Sequence, residues 1–274
     1  MRIGFIQGRL LDSEKKNAIQ YFPSRFWKKE IKTALKNKIN LIEWTVNLEN
    51  IKKNPIYNDK LLCKLIEFKK KYNICINSVT CDFFMQKPFY KLRKKKDKHL
   101  NLEILKKIIN NGQKVGIKLF VLPLVDNGSI RSINQEEELL STLNKKSFTQ
   151  LLKKKSQILF ESDYKPYKLL KFIKKFNLKK FAINYDTGNS AYMNYDVSIE
   201  KIYFKYVKNI HIKDRLKKGP SVRLGYGNWD FLNFFNILKT IKYKNHLILQ
   251  TARAKNGNHL QEIKYSRNFI LNLL

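Results

Sequence analysis

Glycine and proline are scarce in this chain, at 10 and 6 of 274 residues, and cysteine and histidine are scarcer, at 3 and 4. So little glycine and proline excludes collagen-like and low-complexity classes. Cys63, Cys75 and Cys81 are an odd number without paired metal-ligand spacing, so neither a disulfide framework nor a cysteine–zinc module is expected. They suit reduced, mostly buried thiols in a reducing cytosol, and a cytoplasmic location follows as the expectation. No run approaches the roughly 18 uncharged apolar residues of a membrane helix. The opening MRIGFIQGRL has an apolar stretch too short for a signal-peptide core, and no small-residue cleavage site follows it. No membrane partner is therefore expected.

Acidic residues are the last shortage, 22 against 56 lysines and arginines, which leaves a net charge of +34. Such a charge confers sequence-independent affinity for nucleic acid or anionic lipid when it is concentrated. Here it is overwhelmingly lysine and spread along the chain, as in KKK at 69–71, 94–96 and 153–155. A nucleic-acid groove concentrates arginine with aromatics, so the lysines read as solvated helix faces and a nucleic-acid partner is not expected. What is abundant is core material: hydrophobic residues make up 43% and aromatics 13%.

Short apolar runs recur at 2–6, 40–44, 75–79, 118–122, 157–161, 181–185, 209–213 and 246–250. Between them lie segments of helical period, such as Leu61, Leu62, Leu65, Ile66 and Phe68, or Leu169, Leu170, Ile173 and Phe176. Eight alternating units with no linker-like break predict one α/β domain over 1–274, a single (β/α)8 TIM barrel, which typically takes ~250 residues. An open doubly wound sheet calls for a glycine-rich turn after its first strand, and GxGxxG is absent there. Two long connections, 10–25 and 125–146, leave strand ends on the side where a barrel keeps its active site.

The later strands end in polar residues: Glu161 in ILFESD, Asp186 in INYDTGN, His211 in NIHIKDR and Gln250 in LILQTAR. In a barrel these four converge, and a divalent cation is the usual means of holding carboxylates together in charged form. Two carboxylates, an imidazole and an amide oxygen suit one Mn²⁺, Mg²⁺, Co²⁺ or Zn²⁺ ion. Arg253 and Arg9 stand out from the lysine background as clamps for a phosphate or carboxylate. Gly225 and Gly227 in LGYGNWDF can present N–H groups to a phosphate. Trp44 and Phe83, aromatics near strand ends, can stack on a ligand face.

The motifs IGFIQGRL, LIEWT, INSVTCDFF, FESDY, NYDTGN, HIKDR, LGYGNWDF and LQTAR, in this order over nearly the whole chain, resemble the xylose isomerase-like TIM-barrel superfamily. That group includes sugar and sugar-phosphate isomerases and epimerases such as D-tagatose 3-epimerase, and also endonuclease IV. The resemblance implies a metal bound by Glu161, Asp186, His211 and the residue at Gln250, where the family normally has glutamate. It implies a sugar or sugar-phosphate substrate, an enediolate intermediate and a homodimer. Glu161 is then the base that removes a proton alpha to the carbonyl. Gln250 can ligate but cannot shuttle a proton near neutral pH, so Glu43 and Asp82 become the candidates for a second base. Asn189, where the family often has histidine, and Lys213 are expected to contact substrate. Two alternatives stand beside this reading. An endonuclease IV-like phosphodiesterase would use the charge but needs more histidines than four. A catalytically altered barrel would only bind a sugar derivative.

Overall fold

The computed structural model describes residues 1–11, 20–254 and 256–274. The connection expected over 10–25 therefore falls partly, at 12–19, outside the described residues. Among the described residues ten strands are formed: β1 Ile3–Ile6, β2 Leu41–Thr45, β3 Cys75–Thr80, β4 Leu119–Leu124, β5 Gln157–Ser162, β6 Phe181–Asp186, β7 Val207–Ile212, β8 Asp214–Arg215, β9 Ser221–Val222 and β10 Leu247–Leu249. Eight of them close a barrel in the order β1-β10-β7-β6-β5-β4-β3-β2, while β8 and β9 form a small hairpin beyond β7. All barrel pairings are parallel. The seam is sealed by β1 against β10, Ile3 facing Leu247 and Phe5 facing Leu249.

Strand side chains alternate, so each strand contributes one set to the barrel interior and one to the layer beneath the helices. The outward set is large: Phe5, Trp44, Phe120, Phe160 and Phe181 are buried in the main core with the apolar stripes of the surrounding helices. Helix Trp27–Lys36, for example, turns Trp27, Ile31 and Ala34 inward and leaves its lysines in water. The inward set is small at one end, where Ile6, Leu41 and Ile248 form one cluster and Val121, Leu159 and Ala182 another. Further along the same rows the inward positions turn polar, through Glu43, Glu161, Asn184, Asp186, Asn209 and His211, all buried. Two register shifts, at Ile42/Glu43 and Ile183/Asn184, occur where the polar layer begins. Bulges of this kind re-aim side chains beside sites.

The connection over 125–146 is no open loop. Ser132 caps helix Ile133–Leu143 by accepting from the Gln135 N–H, and Leu139 and Leu143 anchor it to the core.

Candidate metal and sugar site

Glu161, Asp186 and His211, from β5, β6 and β7, each offer a ligand atom, and these atoms all lie within 4.8 Å of one another. His211 is fully buried. Its Nε2 lies 2.6 Å from Glu43 Oε1, and its Nδ1 faces Glu161 Oε2 at 3.1 Å and Asp186 Oδ2 at 3.9 Å. A carboxylate on the far nitrogen orients a ligating histidine and leaves the near one free for metal. Burial works against charging the ring, but Glu43 and Glu161 outweigh it and raise its pKa well above the usual histidine value. Asp186 Oδ2 is buried without a well-directed hydrogen bond, although the Lys213 ammonium stands 3.0 Å away. Despite burial, Lys213 and His211 hold the Asp186 carboxyl below its ordinary pKa. A buried carboxylate oxygen paired with an ammonium, a second carboxylate and an oriented imidazole nitrogen within one small volume fit a divalent cation.

Each residue of the D-T-G-N turn has a separate task. Asp186 Oδ1 accepts the Asn189 N–H at 2.8 Å and so starts the helix Thr187–Met193. The Thr187 hydroxyl bonds the Lys213 carbonyl at 2.6 Å and the Lys213 N–H at 2.8 Å, tying β6 to the end of β7. Gly188 clears space for the Lys213 stem, since a Cβ there would lie 2.5 Å from Lys213 Cε. Asn189 donates to Glu161 Oε1 at 2.8 Å, which places it beside the carboxylate. Lys213 Nζ donates to Gln250 Oε1 at 3.0 Å, so Gln250 joins the three-residue group through a lysine.

Two buried asparagines, which the sequence reading missed, support this layer. Asn184 Nδ2 lies 3.0 Å from Glu161 Oε2 and 3.1 Å from His211 Nδ1. Asn209 donates to Glu43 Oε2 and to Asn184 Oδ1, both at 2.8 Å. The signal was present: each sits two residues before a ligand candidate, Asp186 or His211, and so shares its face of the strand.

Several expected site residues are placed elsewhere. Glu43 is completely buried, and His211, Thr80 and Asn209 occupy its oxygens, so it stands behind the histidine instead of facing the mouth as a base. Trp44, its neighbour in β2, points outward by parity, packs on Phe22 and Trp27, and donates its indole N–H to Asn54, so it cannot stack on substrate. Phe83 is likewise core. Arg9 donates to the Thr251 carbonyl at 3.0 Å, and Arg253 donates to the Leu11 carbonyl at 2.9 Å and to that of Gly8. The two arginines therefore cross-brace the first and last loops. Burial, with Arg253 close by, presses the Arg9 pKa down to about 9. Beneath the same loop the fully buried Glu30 accepts from the Gly8 and Leu10 N–H groups. The N–H groups of Gly225, Gly227 and Trp229 do receive an anion, but it is the chain's own Asp214.

Asp82 remains in the mouth, 6% exposed at the end of β3, and accepts no hydrogen bond from a described residue. Burial first, then the Glu161 charge, pushes its pKa up to about 7.

A family model described as xylose isomerase-like TIM barrel matches residues 31–273. A search of curated proteins returned no relative by sequence. Among solved structures, a xylose isomerase domain protein from Planctomyces limnophilus is 14% identical, with 99% of this chain and 96% of that chain covered and a TM-score of 0.74. The IOLI protein with a binding zinc atom is 15% identical, covering 100% and 98%, at a TM-score of 0.75. D-allulose 3-epimerase from Methylomonas sp. in complex with D-allulose is 14% identical, covering 100% and 98%, at a TM-score of 0.73. At these identities the likeness concerns the fold.

Proposed function

Because the chain belongs to the xylose isomerase-like TIM-barrel family, we propose that it is a metal-dependent isomerase or epimerase of a sugar or sugar phosphate. The observation that carries this reading is the convergence of Glu161, Asp186 and His211 at the C-terminal mouth, with a carboxylate behind the histidine. The neighbour named as a D-allulose 3-epimerase supports the substrate class. Glu161, Asp186 and His211 would hold a divalent cation, which when bound would supply Lewis acidity toward a substrate carbonyl and so acidify the adjacent C–H.

The remaining steps belong to the chain's own side chains. Glu161 takes the proton alpha to the carbonyl, its two oxygens held in place by Asn184 and Asn189. Gln250 orients through its amide and moves no proton. Asp82 fills the second acid–base place. A carboxyl near pKa 7 beside a second carboxylate can both give and accept a proton at neutral pH. Lys213, which reaches Asp186 and Gln250, meets a substrate oxygen in this reading. One metal-capable group with a single histidine among the described residues disfavours the multinuclear zinc site of a phosphodiesterase. The contact of Lys213 with Gln250 favours a second reading, a barrel that binds a sugar derivative without turnover.

Elemental analysis separates the two. The wild type is expected to hold about one equivalent of divalent metal and Asp186→Ala to lose it. Glu43→Gln should bind metal roughly 10- to 100-fold more weakly with the fold intact. Turnover of a panel of ketoses and their phosphates should accompany metal loading. A wild type without metal after incubation with Mn²⁺ overturns the enzymatic reading in favour of the binding barrel.

A further inference from the structure

The barrel's two ends differ sharply in charge. Carboxylates gather at the mouth, whereas the segments entering the strands at the opposite end carry none. Residues 1–2, 37–40, 73–74, 116–118, 150–156, 174–180, 201–206 and 241–246 contain fourteen lysines and arginines and no aspartate or glutamate. With 22 acids among 56 bases in the chain, chance leaves fourteen charged positions free of acid roughly once in a hundred arrangements. Helix dipoles explain lysines in last turns, such as Lys36, Lys114 and Lys239. They do not explain Lys153–Lys155, Lys179, Lys180 or Lys244, which lie beyond the helix ends.

In two grooves on this face every charged lining residue is a cation. One of about 960 Å³ is bordered by Arg2, Lys69, Lys70, Lys114 and Lys118. The other, of about 470 Å³, is bordered by Lys201, Lys205, Lys208, Lys242 and Lys244. Exposed aliphatic side chains stand among them: Ile66, Leu178, Ile241 and Leu271. The exposed aromatic rings, Phe26, Tyr167 and Tyr226, lie toward the mouth, at helix starts or in the loop after β9.

We propose that the N-terminal face of the barrel docks on an anionic lipid surface. Lysines draw the face to the lipid charge, and the aliphatic side chains enter the headgroup layer. The mouth then faces the solution and stays open to substrate. A nucleic-acid surface would instead use arginine and open stacking rings, and among the described residues this face has one arginine, Arg2, while its rings Tyr72 and Tyr206 are only partly exposed and lie under lysines.

Flotation with vesicles of phosphatidylcholine, alone or with about 30% phosphatidylglycerol, tests this. The protein should float only with the anionic vesicles, and less so as salt rises. Lys179→Glu, Lys201→Glu and Lys244→Glu together should weaken binding about a hundredfold, since each lysine near an anionic surface contributes roughly fivefold. The equal charge change at Lys94, Lys95 and Lys96, near the mouth, should leave most of the binding in place. Leu178→Asn with Ile241→Asn should reduce flotation but not the retention of a single-stranded RNA in a gel. Absence of flotation, or equal losses in the two triple variants, overturns the proposal. So does an inert Leu178/Ile241 variant when the first triple variant abolishes RNA retention, which would mark the face as a nucleic-acid surface.

Discussion

Asp82 shows what burial does to one carboxyl. Its pKa of about 7 in the folded chain stands against 3.8 in the open one, so the folded state holds its proton more tightly. Between these values the unfolded chain ionises first, and the contribution of Asp82 to stability falls as pH rises from about 4 to 7. Asp82→Asn removes that loss. In metal-free protein the variant should be more stable than wild type at pH 8, by on the order of 1–3 kcal/mol, with the gap closing toward pH 4. Denaturant melts at the two pH values check this, and a gap that does not change with pH would show that Asp82 is not held neutral by burial. Other single residues were legible to different degrees. Glu161, Asp186 and His211 could be read as a converging group because they stand at the ends of successive strands that are otherwise largely apolar. Glu43 was visible as a strand-end carboxylate, but its task was not. A base and the orienting partner of a histidine differ only in what the oxygens touch.

At the scale of the element, alternation decides more than composition. All eight expected barrel strands form within two residues of their expected bounds, because a buried parallel strand is a short apolar run between helical periods. The same alternation settles Trp44: with Glu43 inward, its neighbour must face the helices, and parity alone could have excluded it from the site. The loop after β7 was harder to read. Its glycines suggest an anion cradle, and the geometry supplies one, but Asp214 from the preceding HIKDR motif fills it. A Cβ at Gly227 would lie 2.1 Å from Asp214 Oδ1 and 2.7 Å from the Arg215 carbonyl. Gly227→Ala should therefore cost on the order of 2 kcal/mol in stability, read from denaturant midpoints. An unchanged midpoint would mean the loop re-forms without the Asp214 contacts.

For the whole molecule the dominant quantity is the net charge of +34. Like charges at this density repel one another through solvent, and salt shortens the reach of that repulsion from about 20 Å at 20 mM to about 6 Å at 300 mM. The melting temperature should rise over that range in NaCl and stay level with a non-ionic solute. A fall would mean that ion pairs such as Lys175–Glu136 outweigh the repulsion. By itself the sequence determined the eight units, their parallel order and the residue types that reach the mouth, because hydrophobic period and strand-end polarity are local properties. Only the tertiary structure decided the partners. Closure of β1 on β10 brings Arg9 to Thr251 and Arg253 to Gly8, and the curvature of the barrel sets Glu43 behind His211 from 168 positions away. Contacts across such distances depend on register and side-chain direction in three dimensions, which no local pattern records.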